Sequence, residues 1–185
     1  LKRIIPVASY SMFTSVEWES RRQLIHEGTI RVALQLLVRR QAVLRTLYQM
    51  DNTRTLQVIL PGDGFVVPLE ECMEAELPAR SSHALNLPFV LVKAPPVRAL
   101  CSIARYATRL LITVDHVAAD YASMLIIQQD LRTACVALQR GVRCAPPLLP
   151  VQYADFSLWQ HRYKQRDEMT TLEWWRAKLD GVPQL

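Results

Sequence analysis

Residues 110–120 have the sequence LLITVDHVAAD, in which a compact apolar run passes directly into a polar cluster. The apolar part is typical of a strand that is buried on both faces. Functional groups are often placed at such an edge, where a rigid strand holds a loop. His116 lies in that loop, and an unperturbed imidazole can accept a proton near neutral pH. The segment therefore predicts a strand that ends at Asp115 and makes His116 a candidate catalytic base.

A helix is predicted after this loop, because apolar residues recur there at helical spacing. Gly141 follows at the position of a C-terminal cap. The predicted apolar face of this helix contains Met124, Ile127, Leu131, Cys135 and Leu138.

The segments upstream alternate between strand-like and helical patterns. Residues 28–41 repeat apolar residues at helical spacing and predict an amphipathic helix. Residues 3–8 and 12–18 are short β-like stretches, and residues 97–106 predict another strand. Together with the strand at residues 109–114, this mixture indicates an α/β fold or an α+β sandwich built in layers.

A hairpin is predicted between these elements. Residues 55–60 and 65–69 have strand-like composition, and the sequence PGDG at residues 61–64 is a strong turn signal between them. Residues 70–78 carry four glutamates and predict a short helix or a loop.

The C-terminal part begins with a proline-rich connector at residues 145–150. Two helices are predicted after it, at residues 153–164 and 172–179. Thr170 and Glu173 have capping-box spacing for the second helix.

Composition excludes several classes of function. The net charge of +5 comes from scattered basic residues without an interleaved aromatic stripe, so we expect no nucleic-acid binding. No uncharged apolar run approaches the roughly 18–20 residues of a membrane span, so we expect no membrane insertion. The four cysteines form no C-x-x-C pair and no zinc-like spacing. These features predict a cytoplasmic protein without a metal.

Four stretches, in this order, resemble the condensation domains of nonribosomal peptide synthetases, which belong to the chloramphenicol acetyltransferase-like superfamily. Residues 112–120 are similar to the HHxxxDG motif, and residues 36–46 (LLVRRQAVLRT) to LVxRHExLRT. Residues 87–89 with residues 95–99 are similar to PFDL…PLxR. Residues 153–160 (YADFSLWQ) with residues 174–181 (WWRAKLDG) are similar to YADYxxWQ…YWxxxLxG.

The resemblance implies a chloramphenicol acetyltransferase-like lobe, with a mixed sheet flanked by helices. Residues 1–185 would form the N-terminal lobe of a two-lobed domain whose C-terminal lobe lies outside this chain. The family reaction joins an acyl or peptidyl thioester on a donor carrier protein to an amine on an acceptor carrier protein. Substrates would be carried on phosphopantetheine, without a tightly bound cofactor. Both carrier proteins and the C-terminal lobe are the expected partners.

The resemblance also implies roles for individual residues. His116 matches the second motif histidine, which positions or deprotonates the attacking amine, and Asp115 replaces the first. We take both as the candidate catalytic residues. Asp120 matches the motif aspartate, which is structural, and Arg45 matches the arginine that pairs with it. Tyr121 replaces the motif glycine and is expected to narrow the substrate tunnel or to point away from it.

Two other interpretations fit the same residues. Asp115, Asp120 and Ser123 match the DxxxxDxxS signature of heterocyclization domains. Ser123, like Tyr121, is expected to line the substrate tunnel. Alternatively, the departures at Asp115 and Tyr121 favour a catalytically silent domain that serves as a docking platform for a carrier protein or a partner enzyme.

Overall fold

The computed structural model describes residues 11–19, 24–51 and 54–183, without the side chains of residues 165–168. The strand predicted at residues 3–8 lies outside the described residues. The chain divides into two compact units, Leu1–Leu149 and Pro150–Leu185.

The first unit contains six described strands and three helices. The strands are β1 (Ser11–Glu19), β2 (Thr46–Asp51), β3 (Arg54–Ile59), β4 (Leu69–Cys72), β5 (Val97–Ile103) and β6 (Ala107–Asp115). The helices are α1 (Glu27–Arg40), α2 (Leu77–Asn86) and α3 (Tyr121–Gln139), with 3₁₀ turns at Ala42–Arg45 and Glu74–Glu76.

Four of these strands form a mixed sheet in the order β1-β6-β5-β4. β6 pairs antiparallel with β1 and β5, whereas β4 pairs parallel with β5. β2 and β3 form a separate antiparallel ribbon. The expected α/β class, with a mixed sheet flanked by helices, is confirmed.

The alternating side chains of β5 and β6 give the sheet two different faces. We call one the packed face, where side chains join the core formed with α1 and α3. It consists of Val97, Ala99, Cys101, Leu110, Ile112 and Val114. We call the other the pocket face, because it borders a cavity beneath α2. It consists of Arg98, Leu100, Ser102, Leu111 and Thr113.

The helices of the packed face follow their sequence patterns. In α1, Ile30, Leu34 and Leu37 are buried, as the helical spacing predicts. Four of the five residues predicted on the apolar face of α3 are buried, and Leu138 packs partly buried against the same core. Gly141 follows α3 with φ of 69°, a left-handed conformation that favours glycine. Both helix predictions are confirmed.

The predicted hairpin is wrong. β3 pairs with the strand that precedes it, β2, and not with the segment that follows the PGDG turn. That following segment becomes a strand only at Leu69, and there it pairs parallel with β5. Alternation of apolar and polar residues identifies a strand but does not say which strand pairs with it. The PGDG turn signal therefore suggests a pairing that the structure does not contain. Residues 70–78 contribute the rest of β4, a 3₁₀ turn and the start of α2.

The second unit is one helix, α4 (Tyr153–Leu179), where the sequence predicts two. Its sequence contains no glycine or proline, so nothing forces a break. Thr170 and Glu173 therefore lie inside the helix and do not start a new one. Exposed aromatic rings follow one another along its first half, with centroids of Phe156 and Trp159 5.7 Å apart and of Trp159 and Tyr163 5.5 Å apart.

Candidate active site at the end of strand β6

The loop that holds His116 is shaped by Asp115, the last residue of β6. The Asp115 amide donates to the carbonyl of Pro96 at 2.9 Å, which anchors it beside β5. Its side-chain Oδ1 accepts from the Val117 amide at 3.0 Å, and its carbonyl accepts from the Ala118 amide at 2.9 Å. An aspartate that accepts from the amide two residues ahead forms an Asx turn. The Asp115 carboxylate therefore fixes the backbone of the loop.

His116 is the first residue beyond β6 and is exposed. Two residues earlier, Val114 is fully buried in the core. The imidazole thus lies where a rigid strand reaches the surface of the first unit, and the turn at Asp115 fixes its backbone. This geometry leaves the ring accessible to a substrate.

Asp120 is the N-cap of α3. Its Oδ1 accepts from the Ser123 amide at 2.8 Å and from the Ser123 hydroxyl at 2.6 Å. These hydrogen bonds, first the one from the hydroxyl, hold the pKa of Asp120 below its usual value, and the charge of His116 contributes in the same direction. Asp120 is therefore a carboxylate at neutral pH, within electrostatic range of His116.

The predicted ion pair between Asp120 and Arg45 is absent from the described residues. Arg45 instead donates through Nε to the carbonyl of Val38 at 3.0 Å and through Nη1 to the carbonyl of Leu60. The last carbonyls of a helix lack partners within the helix, and Arg45 supplies one at the end of α1. Asp120 accepts from an amide in the first turn of its own helix. Each of the two residues therefore bonds to a nearby helix end and not to the other.

Tyr121 and Ser123 occupy the first turn of α3. The Tyr121 side chain is 73% exposed and lies on the surface of the first unit. Ser123 borders a cavity of about 90 Å³ between the 3₁₀ turn at Ala42–Arg45 and α3. Their expected place along a substrate tunnel stays a prediction, because the resemblance to condensation domains implies that this tunnel lies between two lobes.

A second cavity, on the pocket face, is not predicted by the sequence patterns. It has a volume of about 290 Å³ and lies between α2, the segment at residues 87–97 and the sheet. Arg98 of β5 is one of the charged residues that line it. The sequence signal for this cavity is Arg98, the one charged residue in the strand sequence VRALCSI. The family pattern PLxR already accounts for an arginine at this position.

The two buried cysteines do not offer a nucleophile. Burial raises the pKa of Cys101 to about 11 and that of Cys135 to about 12, which keeps both thiols protonated and unreactive. Within residues 11–19, 24–51 and 54–183, no cluster of histidine, cysteine and acidic side chains could hold a metal ion. The described helices include none with the length and apolar character needed to cross a membrane.

Comparison with known proteins now assigns the family. The sequence model described as "Condensation domain" matches residues 8–185. The chain belongs to the condensation domain family. This condensation domain chain is 34% identical over 165 residues to phosphinothricin tripeptide synthetase PhsC of Streptomyces viridochromogenes, a match that covers 83% of the chain and 15% of PhsC. It is 31% identical over 168 residues to the dimodular nonribosomal peptide synthase of Bacillus subtilis, covering 86% and 7% respectively. It therefore spans a small part of these relatives.

Solved structures share the fold of this condensation domain chain. The X-domain from teicoplanin biosynthesis matches with a TM-score of 0.82 at 25% identity, over 97% of this chain and 40% of that one. The complex of the X-domain and OxyB from teicoplanin biosynthesis contains a chain that matches with a TM-score of 0.82 at 24% identity. This match covers 99% of the present chain and 41% of the chain in the complex. SgcC5 protein from Streptomyces globisporus matches with a TM-score of 0.72 at 25% identity, over 95% and 41%. These matches confirm the expected chloramphenicol acetyltransferase-like lobe.

Proposed function

We propose that residues 1–185 form the N-terminal lobe of a condensation domain that makes amide bonds in nonribosomal peptide synthesis. The domain would join an acyl or peptidyl thioester on one carrier protein to the amine on another, with both substrates carried on phosphopantetheine in the cytoplasm. His116 would position or deprotonate the attacking amine. The C-terminal lobe of the domain would close the tunnel over it.

The observation that carries this proposal is the placement of His116. It is exposed directly beyond a buried strand. On one side of it the Asp115 side chain accepts from the Val117 amide within the loop, and on the other side the Asp120 side chain accepts from the Ser123 amide and caps the helix that follows the loop. A general base must be held within reach of the proton that it removes. A loop whose two ends are fixed by hydrogen bonds can hold the His116 imidazole in one place without a long network of side chains.

The chemistry needs one proton transfer at this site. The amine nitrogen attacks the thioester carbonyl, so that a C–N bond forms, the C–S bond breaks and the phosphopantetheine thiolate of the donor carrier protein leaves. The nitrogen gains positive charge in this step and loses a proton, which the imidazole can accept and return to the leaving thiolate. The nearby Asp120 carboxylate would attract the resulting imidazolium. In this arrangement Asp115 and Asp120 act on the loop, and His116 is the group that meets the substrate.

The extent of the structural matches supports the assignment as a lobe. The chain is covered almost completely, whereas only about two-fifths of the matched X-domain and SgcC5 chains is used. If the matched chains have two lobes and this chain corresponds to one of them, the unmatched part of each solved chain would be the other lobe. The two-lobe architecture of this protein is thus part of the proposal.

The second candidate function is the silent docking platform. The X-domain matches with a TM-score of 0.82, and it has been solved in complex with OxyB. Asp115 in place of the first motif histidine and Tyr121 in place of the motif glycine also favour this function. A platform would keep the fold and a binding surface without needing His116.

The heterocyclization signature receives a structural explanation of its own. The Ser123 hydroxyl and amide both donate to Asp120 in a helix cap, and aspartate is one of the residues favoured at an N-cap. The match to DxxxxDxxS therefore rests mainly on Asp115, which holds the turn.

The test is acyl transfer by the complete two-lobed domain with carrier proteins loaded for the neighbouring modules, followed by intact-protein mass spectrometry. We expect the wild type to transfer the acyl chain and His116→Ala to be slower by about 10²–10⁴-fold. His26→Ala, which changes an exposed histidine at the start of α1, is the matched control and should retain the wild-type rate.

Other outcomes select the alternatives. Absence of transfer by the wild type, together with carrier-protein or partner-enzyme binding that survives His116→Ala, would establish the platform. A product lighter by one further water molecule would establish heterocyclization.

A further inference from the structure

The cavity on the pocket face has the form of a binding site for a small substituent. Its floor is the sheet, through Arg98, Leu100 and Thr113, and α2 forms one wall. The opposite wall is the segment at residues 87–97, which is mainly apolar. Small-molecule sites range from roughly 300 to 1,000 Å³, so a volume of about 290 Å³ suits one side chain or the end of one acyl chain.

Arg98 is held rigidly in this cavity. Its guanidinium lies over the Phe89 ring, 3.7 Å from the centroid, and Nη2 donates to the carbonyl of Leu87 at 2.6 Å. Stacking on an aromatic face and a backbone hydrogen bond fix the plane of the fork before any ligand arrives. Such preorganisation lowers the entropy lost on binding.

The same guanidinium lacks an ionic partner in the described part of the chain. An arginine side chain has five N–H donors, and the hydrogen bond to Leu87 is the one that the Arg98 side chain makes among the described residues. Its Nε is buried without an acceptor there. A cation removed from water is normally paired with an anion, so this arginine is set up for an anion that comes from outside the fold.

The charges around the cavity favour an anionic ligand. Glu70, the acidic residue that lines it, lies 3.8 Å from Arg80 on the rim. Val90 lines the wall at the position of the aspartate in the PFDL pattern, so that acid is replaced by an apolar side chain. Burial lowers the pKa of Arg98 from its usual value, and Glu70 and Asp115 oppose this shift. The guanidinium therefore remains charged but poorly solvated.

The cavity adjoins the candidate active site. Arg98 pairs with Thr113 across the sheet, and Thr113 lies two residues before Asp115 on the same face of β6. Two residues of a strand span about 7 Å. A substituent bound against Arg98 would therefore lie close to the loop of His116.

We propose that this cavity is a specificity site for an apolar substituent that ends in a carboxylate, and that Arg98 binds the carboxylate. The substituent would be the side chain or acyl terminus of a carrier-bound substrate. This identification of the substrate class rests on the proposed function, whereas the binding site itself does not. The apolar wall would accept the carbon chain, and the guanidinium fork would select the acid over its amide.

The test uses the complete two-lobed domain and two small probes, 3-phenylpropionate and its neutral amide, measured by isothermal titration calorimetry. The wild type should bind the acid, and the amide should bind at least about tenfold more weakly. Arg98→Gln should weaken acid binding by about 10- to 100-fold, the range expected for a charge-assisted hydrogen-bonded pair. Arg105→Gln is the matched control, because Arg105 also lies over an aromatic ring, that of Tyr106, but does not line this cavity.

A second variant keeps the proposal testable if Arg98→Gln unfolds the protein. Ala84 lies on α2 and lines the cavity, so Ala84→Phe should block the acid while leaving Arg98 in place. Equal affinity for acid and amide, undiminished acid binding by either folded cavity variant, or no binding by the wild type would each overturn the proposal.

Failure of the two proposals can be told apart. If acyl transfer depends on His116 but the acid probe does not bind, the condensation function stands and the specificity site falls. If the probe binds through Arg98 but no acyl group is transferred, the binding site is supported and the proposed reaction is contradicted. The ligand could then no longer be identified as a condensation substrate.

Discussion

The packed face and the pocket face of the sheet are built from the same two strands, yet they differ in what covers them. On the packed face, side chains of α1 and α3 fill the space around Ile112 and its neighbours. On the pocket face, α2 contributes no buried residue, and a cavity of about 290 Å³ remains over Arg98 and Thr113.

The difference shows that burial alone does not distinguish core from site. Ile112 and Thr113 are adjacent and equally inaccessible, with exposures of 0% and 1%. What separates the two faces is the polarity of the buried residues and the space left beside them. A buried polar side chain next to a cavity carries more functional information than a buried aliphatic one.

The largest expected effect separates the faces by stability. Leu110 lies in the core with 0% exposure, and its neighbour Leu111 lies on the pocket face with 8%. Leu110→Ala should lower the free energy of unfolding by about 2–5 kcal/mol. Leu111→Ala should cost at least about 1 kcal/mol less, because fewer surrounding groups lose contacts. Denaturant unfolding of both variants in the same domain is the measurement, and equal costs would show that the two faces are packed alike.

Thiol reactivity sharpens the comparison at a finer scale. Cys101 and Cys135 belong to the core of the packed face, whereas Cys144 is partly exposed. Because burial raises the pKa of Cys101 to about 11 and that of Cys135 to about 12, their thiolate fraction at neutral pH is small. We expect iodoacetamide to label them at least about tenfold more slowly than Cys144.

Peptide mass spectrometry of the labelled protein would measure those rates. Labelling after unfolding in guanidinium is the control, since it should abolish the difference. Rapid labelling of Cys101 in the folded domain would contradict a closed packed face.

The smallest expected effect concerns Asp120 at the start of α3. Its pKa is lowered from 3.8 in the folded protein, so its carboxylate stabilises the fold above pH 3.8 and this stabilisation is lost as the pH falls through the folded pKa. Asp120→Asn retains an N-cap oxygen and should lower the melting temperature at neutral pH by no more than about 2 °C. Its stability should also depend less on acid pH.

Thermal unfolding of the wild type, Asp120→Asn and Asp120→Ala from acid to neutral pH would measure this dependence. Asp120→Ala removes the cap and should be the least stable of the three. A large loss in Asp120→Asn at neutral pH would instead support the ion pair with Arg45 that the described residues do not form.

Sequence patterns predicted the local elements around the candidate site. The apolar run of β6, its end at Asp115, and the apolar stripes of α1 and α3 could all be read in advance, because periodicity reports which side of an element is buried. The exposure of His116 follows from its position just beyond the buried strand.

The partners of individual residues could not be read in the same way. β3 pairs with β2, and Arg45 donates to Val38 and Leu60 while Asp120 accepts from Ser123. Each of these choices is a competition between nearby groups for hydrogen bonds. Which group forms the hydrogen bond depends on distances in the folded chain, and the spacing of residues along the sequence does not give these distances.

The sequence by itself therefore determined the family, the strand that carries His116 and the helices that cover the packed face, since these depend on local periodicity and on ordered motifs. Only the tertiary structure decided that the pocket face keeps a cavity and that Arg98 lies in it against Phe89 without an ionic partner in the described residues. The physical reason is that a cavity is a property of what surrounds a residue. Segments distant in the chain, here α2 and residues 87–97, create it only when they meet over the sheet.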